Sequence, residues 1–462
     1  MALIGLPAEL MSRISSYLDS TSALHFRLTS HEVFDKTYYE FQDRIRHSYS
    51  AVNPGGLQTL FKITQDPKLA PGIRVLRFSV YALASDLEID NDQARELDKT
   101  TELQARDQLS YYQAFDFLMS GKAALKLESI FLNLPRVEAL EIGQFSPRDM
   151  DPTAIGRGLQ GARNLERYVV RPPSLGQYTW RPFEFMKTNW DRNVTQILNA
   201  VLSALSFTKT RLKRLSVVLL EGEMLHGVAA HRMPVLPICN RPAWIKGLAC
   251  ALQDLEDLRF CLEYPLCAYS DDLGASATWL TRFMSMMPQL RSLHLLSDHF
   301  DIMDTLWQWG DSALSRTLNG LHLLNLQHFE LANVNLKGAN LQNFLATHAQ
   351  TLRRITLSRI AFPEGDMGWW ETLENLAQQH WLSLEYLKFA YLWQRFQTIL
   401  IFTTRIPVAG KYCHSCHHDL RRASTKKDYA LPPDECPHVV YESQEGKWPP
   451  GSEMLLWNMG LR

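Results

Sequence analysis

The chain opens with apolar residues at helical spacing. Leu6, Leu10, Ile14 and Leu18 recur every fourth residue, which places them on one face of a helix. Pro7 suits the first turn of that helix, where its missing N–H would have no partner anyway. About forty residues are too few to bury all the apolar groups of this segment among themselves. The pattern therefore predicts short helices that present an apolar face to something else.

The same segment resembles an F-box of the fungal type, the helical module that attaches adaptor proteins to the Skp-type subunit of cullin–RING ubiquitin ligases. The residues that match are Leu6, Pro7, Glu9, Leu10, Ile14, Leu18, Asp19, Leu24, Arg27, Leu28, Ser30 and Phe34. Phe26 and the pair Tyr38-Tyr39 depart from the usual pattern. The resemblance implies that a set of apolar residues binds the Skp-type subunit, namely Leu6, Pro7, Leu10, Ile14, Leu18, Leu24 and Leu28. The alternative is an amphipathic hairpin packed on its own domain.

Beyond residue 50 a second pattern returns, in which apolar residues occupy the first, fourth and sixth positions of a short segment. Its occurrences are Ile73/Leu76/Phe78, Val137/Leu140/Ile142, Leu165/Tyr168/Val170, Leu212/Leu215/Val217, Leu255/Leu258/Phe260, Leu290/Leu293/Leu295, Leu326/Phe329/Leu331, Leu352/Ile355/Leu357 and Leu384/Leu387/Phe389. Each predicts a strand whose alternate residues point inward, after an apolar residue at the bend. Helical stretches lie between them, for example around Trp244 and Leu341.

This alternation resembles an irregular leucine-rich-repeat solenoid, although the Asn or Cys of the usual ladder is mostly absent and Asn333 and Asn335 come nearest to it. The resulting prediction is an α/β fold with N-terminal F-box helices (1–45), an irregular leucine-rich-repeat-like solenoid (46–405) and a loop-rich Cys/His tail (406–462). The alternative is an α/β domain whose parallel strands merely share this spacing.

A long insertion at residues 172–190 is rich in proline and aromatic residues. Aromatic side chains dominate the energetics of many protein interfaces. We therefore predict a target-binding loop formed by Tyr178, Trp180, Phe183 and Trp190. The alternative is that these rings fold back over an edge of the repeat region.

The C-terminal tail has metal-ligand spacing. Cys413 and Cys416 are separated by two residues, as in many zinc sites, and Cys436 and His438 follow. These four residues are the candidate ligands of a structural zinc, although the second pair is more closely spaced than usual. The alternative is that they carry no metal. We expect no other cofactor.

Composition narrows the functional class. The formal net charge is −1, whereas nucleic-acid binders usually carry a basic excess, so we expect no nucleic-acid partner. The seven irregularly spaced cysteines indicate a reducing compartment. Charged residues interrupt the apolar N-terminus, and no run reaches the roughly eighteen uninterrupted apolar residues of a membrane helix. The sequence therefore predicts a cytoplasmic or nuclear protein without a membrane partner.

The common phosphate-loop, dinucleotide, metalloprotease and hydrolase motifs are absent from the sequence, so we predict that the chain is not an enzyme. The F-box resemblance implies a substrate-recognition adaptor of a Skp–cullin–F-box ubiquitin ligase. Its partners would be a Skp-type subunit, a cullin and an unknown protein target held by the solenoid. The alternative is a binding scaffold that assembles complexes without ubiquitin transfer.

Overall fold

The structure is a computed structural model, and the residues that it describes fall into two compact units, Met1–Gln253 and Asp254–Arg462. The described ranges are 5–18, 20–47, 49–80, 116–144, 159–160, 194–221, 224–228, 241–262, 273–297, 313–363, 368–379, 381–394, 397–400 and 438–442.

The first unit begins with four short helices that pack on one another. They are α1 (Ala8–Tyr17), α2 (Ser20–Arg27), α3 (His31–Lys36) and α4 (Tyr38–His47). Ser30 caps α3, because its hydroxyl accepts a hydrogen bond from the Val33 N–H at 3.2 Å. A fifth helix, α5 (Pro54–Thr64), starts with a proline and is capped by the Asn53 side chain.

The strands of the first unit form a parallel sheet. They are β1 (Tyr49–Ala51), β2 (Val75–Val80), β3 (Ala139–Gln144), β4 (Leu159–Gln160) and β5 (Arg214–Glu221), arranged in the order β5-β3-β2-β1-β4. A short strand β6 (Met224–His226) pairs antiparallel with β5. The remaining helices are α6 (Lys122–Asn133), α7 (194–206) and α8 (Pro242–Leu252).

The second unit alternates strands and helices. The parallel strands are β7 (Asp257–Leu262), β8 (Ser292–Ser297), β9 (His328–Asn335), β10 (Arg354–Phe362) and β11 (Tyr386–Gln394), in sequence order. The helices between them are α9 (Leu273–Ser285), α10 (Ala313–Gly320), α11 (Gly338–Thr347) and α12 (Trp369–Gln378). Two antiparallel strands complete the edge on β11, β12 (Gln397–Leu400) and β13 (His438–Glu442).

Eight of the nine apolar triplets of the sequence coincide with described strands, whereas β1, β4, β6, β12 and β13 carry no triplet. In β8, for example, Leu290 lies buried at the bend before the strand, and Leu293 and Leu295 point into the core. The corresponding residues of β7, β9, β10 and β11 are buried in the same way. Leu165, Tyr168 and Val170 lie outside the described residues.

The α/β class is confirmed, but helical F-box plus leucine-rich-repeat solenoid is the wrong architecture. A solenoid repeat contacts only its sequence neighbours, whereas β4 pairs with β1 and bypasses β2 and β3. The N-terminal helices lead directly into β1 of the sheet, and α4 contacts β2. The error has a simple cause: the apolar triplet encodes the burial of one strand and leaves the order of the strands open. The structure is an α/β fold with parallel sheets, the alternative that the sequence left open.

Candidate interaction surfaces

The N-terminal helices fill their interior with a different set of residues from the predicted apolar stripe. Met11, Ala23 and Val33 are buried where α1, α2 and α3 meet. Polar contacts fix the packing: the Ser15 hydroxyl donates to the Glu40 carboxylate at 2.9 Å, and the Lys36 ammonium donates to the Leu6 carbonyl at 2.9 Å. The four helices therefore hold together without burying the stripe completely.

An apolar surface of α1 faces outward as a result. Pro7, Leu10, Ile14 and Tyr17 are spaced by three or four residues, so they lie on one side of the helix. Leu10 is 47% exposed and Tyr17 is 75% exposed, Pro7 is exposed, and Ile14 is partly exposed. We call these four residues the α1 stripe.

A second apolar surface lies at the end of α2 and on α3. Leu28 is 70% exposed and Phe34 is 40% exposed. We call these two residues the Leu28–Phe34 patch. Aliphatic and aromatic side chains exposed on short helices are a common feature of partner-binding surfaces.

Arg27 lies directly behind this patch and is only 2% exposed. Its Cζ atom lies 4.3 Å from the centroid of the Phe34 ring and 4.1 Å from that of Phe41. Its Nη1 donates to the Thr37 hydroxyl at 3.1 Å, and that hydroxyl donates to the Val33 carbonyl at 2.7 Å. Burial lowers the pKa of the Arg27 guanidinium, and the charge of Glu40 opposes that shift. We call this arrangement the Arg27 clamp.

The predicted Skp-binding residues differ in their solvent exposure. Pro7, Leu10 and Leu28 are exposed, and Leu6, Ile14 and Leu18 are partly exposed. Leu24 lies in α2, and its side chain is outside the described part of the chain. The sequence prediction omitted two exposed residues that extend these surfaces, Tyr17 and Phe34. The seven-residue spacing of Tyr17 from Leu10 could have revealed the first.

The second unit presents a different kind of surface, because part of one face of its parallel sheet is polar. Side chains of one face of β7–β11 are apolar and buried. On the other face the first two rows across the sheet are polar, whereas the third row is mostly apolar and consists of Cys261, Leu296, Ala332, Ser358 and Ala390. In register across the sheet, the polar side chains are Asp257, Ser292, His328, Arg354 and Tyr386 in one row and Arg259, His294, Glu330, Thr356 and Lys388 in the next. Parallel sheets are usually covered on both faces, so these two polar rows, which we call the polar face, are a candidate binding surface.

Three side chains on the polar face form a hydrogen-bonded chain. His294 Nε2 lies 2.8 Å from the Ser292 hydroxyl, and His294 Nδ1 lies 2.6 Å from Glu330 Oε2. The hydrogen bond from His294 lowers the pKa of the Glu330 carboxyl. The order hydroxyl, imidazole and carboxylate is that of an acyl-transfer triad.

The surroundings of Ser292, His294 and Glu330 disfavour acyl transfer. Asp257 is the register partner of Ser292, and its Oδ1 lies 3.9 Å from His294 Nε2. A carboxylate beside the hydroxyl would oppose the negative charge that develops on a substrate oxygen, where an acyl-transfer enzyme places hydrogen-bond donors. We therefore interpret Ser292, His294 and Glu330 as a polar network suited to contacts with a partner.

Most of the other predicted site residues lie outside the described part of the chain. Tyr178, Trp180, Phe183 and Trp190 are outside the described residues, as are Cys413, Cys416 and Cys436. His438 is the first residue of β13, and its side chain is not described. Within the described residues, no group of three or more His, Cys, Asp or Glu side chains is arranged to hold a metal ion. The zinc site remains a prediction.

Comparison with known proteins gives no family assignment: no protein-family model matches the sequence, and no curated protein matches it. None of the helices in the described ranges combines the length and apolar character needed to cross a membrane.

Proposed function

We propose that this chain is a substrate-recognition adaptor of a Skp–cullin–F-box ubiquitin ligase, without an active site of its own, in the cytoplasm or nucleus. The main observation in favour is the α1 stripe, which coincides with the segment that resembles an F-box and remains accessible in a helical assembly whose interior is already filled. A hairpin that only packed on its own domain would bury that stripe.

The exposed part of the α1 stripe is large enough to contribute to a specific complex. Fully burying a leucine side chain contributes about 1.5–3 kcal/mol. Because Leu10 is 47% exposed, completing its burial would contribute roughly half of that, about 0.7–1.5 kcal/mol. Pro7, Tyr17 and Leu28 offer further apolar area, so these contacts together supply the central anchors of an interface.

The polar face of the second unit is the surface that we assign to the target protein. Its hydroxyl, imidazole and charged groups offer directional contacts across neighbouring strands. Binding at both surfaces would hold the target beside the conjugating enzyme that the ligase recruits. The contribution of the chain is then a high local concentration of target lysine side chains near activated ubiquitin.

The first test is affinity capture of the tagged full-length chain from its own cell extract, with bound proteins identified by mass spectrometry. We expect a Skp-type subunit and a cullin with the wild-type chain and with Leu125→Asp, and neither with Leu10→Asp. Leu125 is the matched control, because it is an exposed leucine on α6. Equal recovery with Leu10→Asp, or no Skp-type subunit with any variant, would refute the proposal.

The scaffold alternative differs in the fate of the bound proteins. An adaptor should shorten the half-life of its captured targets, and cells that carry only Leu10→Asp should accumulate them. If the captured proteins keep the same half-life in both cell lines, although the Skp-type subunit is bound, the chain is a scaffold that assembles complexes without ubiquitin transfer.

A further inference from the structure

The Arg27 clamp joins three helices through one side chain. Arg27 is the last residue of α2, Phe34 lies in α3 and Phe41 lies in α4. The guanidinium carbon lies 4.3 Å from the Phe34 ring centroid and 4.1 Å from that of Phe41. Thr37, between α3 and α4, accepts a hydrogen bond from Nη1. The other terminal nitrogen, Nη2, is buried and makes no hydrogen bond to the described residues.

The aromatic ring that stacks on Arg27 is also part of the outward surface. Phe34 is 40% exposed although it contacts the guanidinium, and Leu28 follows Arg27 directly in the chain. The position of the exposed patch is therefore coupled to the buried cation through a shared ring and a shared stretch of backbone.

We propose that Arg27 is a positioning residue, which fixes the Leu28–Phe34 patch as a second contact for the Skp-type subunit, in addition to the α1 stripe. This inference rests on the proposed function for the identity of the partner. Arg27 does not touch the partner; it holds the two residues that do.

The chemistry of the clamp is specific to arginine. A guanidinium is planar and weakly hydrated, so it can lie against aromatic rings and still donate in its own plane. A lysine ammonium is a compact, strongly hydrated charge, and a methionine fills volume but cannot donate to Thr37. Both replacements should leave the α1 stripe in place and loosen the patch.

The test is a double-mutant cycle, with the purified Skp-type subunit titrated by calorimetry against the full-length chain. We expect Arg27→Lys to weaken binding by about five- to tenfold, within the range seen for residues in contact. Leu28→Ala should weaken binding in the wild-type background and much less in the Arg27→Lys background. Leu10→Ala should weaken binding equally in both backgrounds. A general loss of folding would leave the effects of both leucine substitutions unchanged, so the contrast between Leu28 and Leu10 excludes it.

Thr37→Val is the milder variant, because it removes the two hydrogen bonds of the Thr37 hydroxyl and leaves both ring contacts of Arg27. It should weaken binding less than Arg27→Lys and show the same coupling to Leu28→Ala. Unchanged affinity in Arg27→Lys, or equal effects of Leu28→Ala in both backgrounds, would overturn the inference even if the Skp-type subunit binds well.

Hydrogen exchange of the unbound chain separates this inference from the proposed function. Arg27→Lys should speed amide exchange in residues 28–37 and leave that of α5 unchanged. If the wild-type chain does not bind the Skp-type subunit, the proposed function fails, and the exchange result alone decides whether Arg27 positions the patch. Unchanged exchange in residues 28–37 would overturn the positioning role.

Discussion

His348 offers a sharp test of the packing of the second unit, because it is a buried histidine that must stay neutral. It is 3% exposed, and its Nε2 accepts a hydrogen bond from the Leu323 N–H at 2.9 Å. Its Nδ1 lies 2.7 Å from the Phe344 carbonyl and donates to it. Desolvation by burial lowers the pKa of His348, so the neutral imidazole is favoured in the folded chain.

Replacing His348 by phenylalanine keeps an aromatic ring, which is somewhat larger, and removes both hydrogen bonds. The Leu323 N–H then has no acceptor, which costs about 1–3 kcal/mol for a buried donor, and the lost bond to Phe344 adds about 1 kcal/mol. We expect His348→Phe to destabilise the second unit by about 2–4 kcal/mol at pH 7.5. His348→Gln, whose side-chain oxygen is a possible acceptor for Leu323, should cost less.

The effect should depend on pH with a defined sign. In the unfolded chain the pKa of His348 is about 6.5, and in the folded chain this pKa is lower. Between these two values the unfolded chain binds a proton that the folded chain does not, so stability falls as pH falls, by at most about 1.4 kcal/mol per pH unit. Above the unfolded pKa the full contribution of the neutral imidazole is present. The phenylalanine variant lacks this dependence, so its deficit should shrink from pH 7.5 to pH 5.

The assay is urea unfolding of the full-length chain at both pH values, followed by hydrogen exchange of peptides from residues 313–362. His322→Phe is the matched control, because His322 is exposed and lies one residue from Leu323. A deficit of His348→Phe that is the same at pH 5 and pH 7.5 would refute the reasoning.

The remaining predictions concern backbone geometry and the tail. Gly247→Ala should destabilise the first unit by about 1–3 kcal/mol, because the added Cβ would overlap the Ser206 carbonyl oxygen. Gly55→Ala should stabilise the same unit by up to about 1 kcal/mol, because the nearest atom would lie 3.7 Å from the added Cβ. Urea unfolding midpoints in the reverse order would contradict this prediction. Arg359→Gly should raise the melting temperature, since Arg359 holds φ at 51°, a conformation that costs a side-chain-bearing residue about 1–2 kcal/mol; a lower value would show that its other contacts outweigh the strain. Cys413→Ser should remove one bound zinc and lower the melting temperature if the tail binds metal, and elemental analysis that finds no zinc in the wild-type chain would exclude the site.

Most strands could be predicted from the sequence, because each apolar triplet reflects the burial of a single strand. Leu352, Ile355 and Leu357, for instance, are all buried at β10. The arrangement of the strands was not readable, because β4 is two residues long and its pairing with β1 depends on contacts far apart in the chain. The solenoid prediction failed at that point, since spacing between strands carries no information about which strand lies beside which.

The α1 stripe could be predicted in part from the sequence. Helical spacing found Leu10, but it could not tell whether the interior would be filled by the stripe or by Met11 and Val33. The buried state of Arg27 had no sequence signal, because a cation at the end of a helix is usually solvated. The fold brings two phenylalanine rings and the Thr37 hydroxyl around the guanidinium, and these contacts offset its desolvation.

The pairing of β13 with β11 gives the C-terminal region a protective role. Residues His438–Glu442 pair with Tyr386–Ala390, so they occupy hydrogen-bonding groups of β11 that would otherwise form an open sheet edge. An open edge of this kind recruits strands from other molecules and begins aggregation. A chain cut before residue 438 should therefore fold its helices and sheets yet precipitate at concentrations that the full chain tolerates.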